Sequence, residues 1–442
     1  MSLIFTVGWW NYDHWEGNWY DYQGMENNFM NSSVMPDKNL GEHQFRDHLF
    51  ATRTMASLKS LAKENKYFML SVGFKNPHLA LHVPFRYYEM YKNKTSYWKL
   101  NKKELRFPFY ASAAGYKCCA ESHFHYMNEE GARRRGKTIP IGDINQGIPL
   151  SMRDELMMGY CGMISYTDTQ IGRILDTLDE LQLWNNITIV LTADHGMHNG
   201  EKGLWEKWSL FDESTRVPLF IYHPMSPFKG QHYKKPVELI DIFPTINDLT
   251  QAPLDKERLC KDDTICRDLQ GKSLAPVVLG DVWTKSKAKS VEKDELDSSI
   301  DSIKLARDFS ISQVWRCVNQ DQYLAAKKLV VTGVKSRPKI WNECDKDKAE
   351  PNEISAMGYS MRTTDYRYTA WLRMNRETMT PYWDVPPLEE DLFDHRNETF
   401  ADYTHRETTN IARRPENEPV LVVFREKLMK FLQNEVVYRG PF

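Results

Sequence analysis

The 442-residue chain has no run of about 18 consecutive apolar residues, which excludes a membrane-spanning helix from the expected architecture. It also lacks an excess of either charge. Its 58 Lys and Arg nearly balance 60 Asp and Glu, for a formal net charge of −2, so no global field recommends it to a nucleic acid. The seven cysteines show neither a Cys-x-x-Cys pair nor the Cys/His spacing of a zinc module. The opening residues, Met1 to Trp10, have no basic n-region, no long apolar h-region and no small-residue cleavage site. No signal peptide is therefore expected within this sequence. No internal repeat is visible either.

What is present suits a large folded protein. The length suggests two or three units, and 41% apolar residues suffice for their cores. Aromatic residues make up 12%, including 13 Trp, a content that suits carbohydrate stacking as well as core packing. Four sequons, at Asn31, Asn93, Asn186 and Asn397, fit a secretory protein whose leader is missing from this sequence. In an oxidising compartment Cys260 and Cys266, which bracket a short polar loop, are expected to pair. Cys317 and Cys344 stay open between a second bridge and free thiols. Cys118, Cys119 and Cys161 read equally well as buried thiols.

Hydrophobic periodicity orders the chain. A helix is expected from Asp47 to Asn65, with Leu49, Met55, Leu58 and Leu61 on one face. The apolar run from Tyr67 to Gly73 reads as a strand buried on both sides in a parallel sheet. A long helix should start at Ser151, with Asp154 three residues later as a capping pair, and run to about Leu183. Two more buried strands follow, from Ile187 to Thr192 and from Val217 to Tyr222, with Pro218 near the start of the second. Val237 to Thr250 is helical despite Pro244. Helices alternating with buried strands imply an α/β sandwich with a mostly parallel sheet. Residues 281–304 are charged and Ser-rich, as in a linker. Beyond them, alternation such as Tyr366 to Trp371 predicts antiparallel strands, and a closing helix is expected from Val420 to Val437. The expected division is 1–304 and 305–442, the second a smaller α+β subdomain.

Two strand ends carry residues able to do chemistry, where open α/β sheets bind ligands. After Thr192 come Asp194, His195 and Gly196, then Gly200, Glu201, Gly203 and Lys207. A carboxylate beside an imidazole can bind a divalent cation, a hard ion such as calcium preferring the carboxylate oxygen. Lys207 can return as a point charge for an anionic group. Alternatively, Asp194 and His195 cap the following turn. The other strand end supplies Lys75, Asn76, Pro77, His78 and His82, and either histidine could protonate a leaving oxygen or serve structure alone. Arg133, Arg134 and Arg135 could attract a sulfated glycan or form a solvated loop.

Taken together these segments resemble the sulfatases. The matches are Met35-Pro36-Asp37-Lys38, Phe68 to His78 followed by Val83 to Tyr87, Ser165 to Arg173, Asp194 to Lys207, Val237 to Thr245, and Ser360 to Thr363 with Tyr366 to Thr369. The resemblance implies an alkaline-phosphatase-like sandwich and a calcium-dependent hydrolase of sulfate esters. Within the family it is closest to exo-acting enzymes of glycosaminoglycan breakdown, which are lysosomal or secreted. It makes Asp194 and His195 calcium ligands, places Lys207 on the sulfate, and has His78 contact the sulfate or protonate the leaving sugar oxygen. His82 is the rival of His78, because an insertion in this loop lets either align. Lys202 stands where the family often has His. One larger departure concerns the nucleophile, a formylglycine made from Cys in a Cys-x-Pro/Ala-Ser-Arg setting. None of the seven Cys stands in that setting, and the family's paired acidic residues and following Lys and His are also missing. The expectation is therefore an incomplete, inactive sulfatase with a sheet truncated at its N-terminal side and prone to aggregate. A non-catalytic glycan-binding relative is the alternative, and a phosphate esterase, which would want more Asp and His ligands, ranks behind both.

Overall fold

A computed structural model describes residues 3–7, 35–38, 41–64, 67–78, 81–100, 108–115, 150–251, 270–280, 307–319, 341–342, 353–375, 377–397 and 407–434. Cys118, Cys119, the Arg133–Arg135 run, the Cys260–Cys266 pair, Asn31, Cys344 and the 281–304 linker lie outside these residues. The chain packs as two compact units. One comprises 1–100, 119–141 and 146–186; the other comprises 101–118, 142–145 and 187–442.

In the first unit, β1 (Leu3–Val7) pairs in parallel with β3 (Phe68–Val72), and β2 (Met35–Asp37) with β4 (His82–Pro84). Helix α1 (Arg46–Glu64) buries Phe50, Ala51, Thr54, Leu58 and Leu61, a stripe at helical spacing. Leu49, expected on that face, is exposed. The short α2 (Phe85–Glu89) and the long α3 (Leu150–Glu180) complete the unit. Gly162 lets α3 approach α2 closely, because a Cβ there would lie 3.1 Å from the Tyr87 carbonyl oxygen. Arg173 of α3 reaches α1 through Thr52 Oγ1 at 2.9 Å. Asp154 does not cap α3 as expected. The Asp154 carboxylate instead accepts the Trp98 indole N–H at 2.9 Å. Strand β3 differs from expectation too: Met69 and Ser71 are exposed while Phe68, Leu70 and Val72 are half-buried, so only one face is covered.

The second unit opens with β5 (Ile189–Thr192), which pairs antiparallel with β8 (Leu219–Tyr222); between them β6 (His198–Asn199) pairs with β7 (Trp205–Glu206), and α4 (Asp212–Thr215) follows. Pro218 sits just before β8, where its missing amide costs the ladder nothing. Leu191 and Phe220 face each other across β5 and β8, and both are exposed. Helix α5 (Ile242–Thr250) has Pro244 at its third position, within the first turn, where amides have no intrahelical partner. It packs against α6 (Ala275–Leu279) through Leu249, Ala275, Val278 and Leu279.

Another core belongs to an antiparallel sheet ordered β10 (Trp341–Asn342), β9 (Ser310–Asn319), β11 (Glu353–Arg362), β12 (Tyr366–Asn375), β13 (Thr380–Pro381), with β14 (Glu389–Asp394) also on β12. Helix α7 (Glu418–Asn434) lays Leu421, Phe424, Leu428 and Leu432 on Tyr359, Met361, Tyr368 and Leu392. Each such buried side chain contributes about 1.5–3 kcal/mol. Cys317 of β9 is buried and disulfide-bonded. Cys161 of α3 is a free thiol that burial pushes up to about 11.

Candidate functional site

The end of β5 is tied down before the motif begins, as Thr192 Oγ1 donates to the Pro218 carbonyl at 3.0 Å. The Asp194 carboxylate then accepts the His195 amide at 3.0 Å, while 87% of its side chain stays open to solvent. Gly196 donates its N–H to the Ser214 carbonyl of α4 at 2.9 Å. A Cβ at Gly196 would lie 2.1 Å from the Glu213 backbone oxygen, so this close approach demands glycine.

The imidazole of His195 is oriented from both sides. Nδ1 is 2.8 Å from the Gly196 carbonyl, which only accepts, so Nδ1 carries the proton. Nε2 therefore keeps its lone pair, and the Lys207 ammonium donates to it at 3.0 Å. Asp194 Oδ2 lies 3.6 Å from the same nitrogen. Carboxylate, imidazole and ammonium thus converge on one point at the surface of the second unit. Lys207 follows β7, which the hairpin with β6 returns toward the motif. The turn between these strands needs left-handed backbone at Gly200, Lys202 and Gly203. Trp208, next to Lys207, also stands at φ 73 and is 43% exposed.

Beneath the motif lies a charged interior. Lys202 is buried and pairs with Glu213; burial works against its ammonium, but Glu213 and Glu407 outweigh it and raise its affinity for the proton. His198 is held neutral by burial, down to about 3, and its Nε2 shares a 2.7 Å hydrogen bond with Ser209. Ser209 in turn donates to Ser214 at 2.9 Å. The Arg367 guanidinium of β12 pairs with both Asp212 and Glu407 and donates to Ser360 Oγ at 3.1 Å. His395 Nε2 is 3.2 Å from Glu407. Burial alone would push Glu407 up, but Arg367 and His395 hold its carboxyl well below the usual range. Among the described residues Asp212, His395 and Glu407 form a three-donor group close enough to grip an ion. Arg367 already fills that space, so this group is a structural ion network.

In the first unit, the Asp47 carboxylate accepts the amides of Lys75 at 3.0 Å and Asn76 at 3.1 Å, fixing the loop after β3. Lys75 is buried, which brings it down to about 8, helped by Arg46 and opposed by Asp47. His78 is exposed, with its amide on the Lys75 carbonyl at 3.0 Å. His82 is 6% exposed on β4, its ring 4.8 Å from that of Phe45. Of the expected residues, Asp194, His195 and Lys207 are therefore brought together in one unit, and His78 and His82 belong to the other. Asp212, Glu213, Arg367 and Glu407 carry no local sequence signal that marked them, although Arg367 amid the apolar alternation of β12 was the available hint.

The family model for sulfatases matches residues 5–252, more than half of the chain. The chain belongs to the sulfatase family. It is 28% identical to human iduronate 2-sulfatase over 77% of its own length and 57% of that protein, and 27% identical to the mouse iduronate 2-sulfatase over 77% and 56%. It thus spans a little more than half the length of these relatives. A Clostridium perfringens arylsulfatase is 32% identical over 43% of the chain and 35% of that enzyme. Among solved structures, a phosphonate monoester hydrolase from Silicibacter pomeroyi superposes with a TM-score of 0.55 at 20% identity, covering 94% of this chain and 67% of that one. Another, solved with its substrate D-glucosamine-2-N,6-O-disulfate, gives 0.54 at 16% identity, covering 88% and 70%. These likenesses establish the alkaline-phosphatase-like α/β fold with its C-terminal antiparallel sheet and helix. Sulfatases in general use a metal ion and a formylglycine.

Proposed function

We propose that this chain carries the cation- and sulfate-holding part of a sulfate-ester hydrolase of the iduronate 2-sulfatase kind, directed at sulfated glycosaminoglycan sugars. The convergence of Asp194, His195 and Lys207 supports it most directly. A calcium ion takes oxygen ligands at about 2.3–2.6 Å, so two of its donors lie within roughly 5 Å of each other. Asp194 Oδ2 and His195 Nε2, 3.6 Å apart, fit that requirement and would form part of the shell. Such an ion supplies positive charge to the sulfate oxygens. Lys207 supplies a second charge by turning from His195 Nε2 to a sulfate oxygen, and the Nδ1 hydrogen bond to Gly196 keeps the imidazole in the ligating tautomer.

For the proton donor, the exposure of His78 supports it over His82, whose ring packs against Phe45. The exposed side chains of Asn93, Asn186 and Asn397 suit glycosylation, and with it a lysosomal or secreted location. The disulfide that Cys317 forms fits the same compartment.

Formylglycine would come from a Cys-x-Pro/Ala-Ser-Arg motif, and no Cys here stands in one. That observation favours a second reading for the chain as it stands, a sulfated-glycan binder without turnover. Two measurements separate the readings. Titration with inorganic sulfate in calcium buffer should show binding that Lys207→Ala weakens by about tenfold or more, the worth of one charge-assisted contact. Equal affinity in the variant would remove Lys207 from the sulfate. Release of sulfate from an aryl sulfate by the purified chain would overturn the reading without turnover.

A further inference from the structure

Trp208 stands in the left-handed region at φ 73, directly after Lys207. For so bulky a side chain this conformation is a true outlier, kept only where the surroundings impose it. Those surroundings are visible on both sides. The Trp208 carbonyl accepts a hydrogen bond from Arg316, a buried residue of β9 whose Nη1 also donates to the Trp315 carbonyl at 3.0 Å. The next three residues, Ser209, Leu210 and Phe211, are buried, and Ser209 is locked between His198 and Ser214. The chain is anchored before Trp208 by the pairing of β6 with β7 and after it by these contacts, yet the residue remains 43% exposed. An indole is among the most favourable side chains to bury, so holding it at the surface on strained backbone runs against folding. Such a feature is expected where a ligand is to be met.

We propose that Trp208 is the sugar platform of this site, its indole stacking on the apolar C–H face of the pyranose whose sulfate Lys207 holds. The inference rests on the sulfate-binding reading above and deepens it by assigning the ring subsite. The two adjacent residues divide the ligand by chemistry: the ammonium takes the anionic ester and the indole takes the ring. Inorganic sulfate engages only the first contact. A sulfated sugar engages both, so Trp208 is what makes the site prefer a sugar ester to the free ion.

The test titrates the full chain, with calcium present, against inorganic sulfate and against the methyl glycoside of a 2-O-sulfated hexuronic acid. The wild type should bind the glycoside about tenfold more tightly than sulfate, the size expected of one aromatic stacking contact. Trp208→Ala should erase that preference and leave sulfate affinity unchanged, and Trp208→Phe should keep most of it. A preference that survives in Trp208→Ala overturns the proposal. So does a wild type without preference, or an equal loss of both ligands, which would make Trp208 a support of the loop. Lys207→Ala is the separate control. If it leaves sulfate affinity intact, the sulfate reading itself fails and takes the platform with it; if sulfate affinity drops as expected, the Trp208 outcome judges the platform alone.

Discussion

Gly196 is the residue on which the centre turns. Its missing Cβ lets the loop touch the Glu213 carbonyl, and its own carbonyl fixes the His195 tautomer. Gly196→Ala would place a Cβ 2.1 Å from backbone oxygen, and backbone yields less readily than a side-chain tip. The variant should lose about 1–3 kcal/mol in a urea melt, the usual cost of overpacking, and should weaken the Nδ1 hydrogen bond in 15N-histidine spectra. A melt within error of the wild type would show that the loop has slack. Asp194, His195 and Lys207 were legible in the sequence because they lie within one strand-end loop. Arg367 and Glu407 were not, since their contacts with Asp212 span 155 and 195 residues and nothing local announces them. The choice between His78 and His82 was ambiguous in sequence for another reason: either fits the loop, and the burial and Phe45 contact of His82 carry no local signal.

Two elements bring buried charge into the second unit, and each gives a prediction. Strand β12 carries Arg367, whose ion pairs hold α4 and, through Ser214, the amide of Gly196. Arg367→Met strands Asp212 and Glu407 without their shared cation and should cost about 3–5 kcal/mol in denaturant unfolding. A loss below 1 kcal/mol would mean the cluster is relieved by water. Strand β14 carries Asp391, fully buried, whose carboxylate takes the Ser112 amide at 2.6 Å. Burial pushes it up to about 7, with Glu389 adding to the rise and the Ser112 hydrogen bonds opposing it. The folded chain therefore binds a proton between pH 4 and 7 that the unfolded chain has released. Stability from this group is present in acid and is lost as pH rises through 7, amounting to about 2 kcal/mol between pH 5 and pH 7. Asp391→Asn should flatten that part of the pH–stability curve; an unchanged slope would assign it to other groups. At this scale the helices were readable from their apolar stripes, and α1, α3 and α7 fall within a few residues of expectation. Asp154, expected as part of the capping pair of α3, serves a distant indole instead.

At the scale of the whole chain, the pattern of apolar strands was legible but their cover was not. Strands β3, β5 and β8 read as buried on both sides, yet Met69, Leu191 and Phe220 are 44%, 37% and 59% exposed. Leu191 and Phe220 oppose each other in register, so they form a continuous apolar spot beside a sheet edge, the kind of surface that recruits other chains. Purified protein should self-associate with rising concentration in light scattering, and Phe220→Lys should reduce that association; equal scattering from both would place the sticky surface elsewhere. The family assignment rests on a match over residues 5–252, which is why it survives modest identity to any one relative. The loop from Asp194 to Lys207 is proposed as part of a cation and sulfate site. The most direct measurement is a calcium titration of 15N-histidine-labelled chain followed through the His195 ring nitrogens. A saturable shift of the Nε2 resonance, absent in Asp194→Asn, is the predicted result; a His195 ring that ignores calcium at every concentration would contradict it.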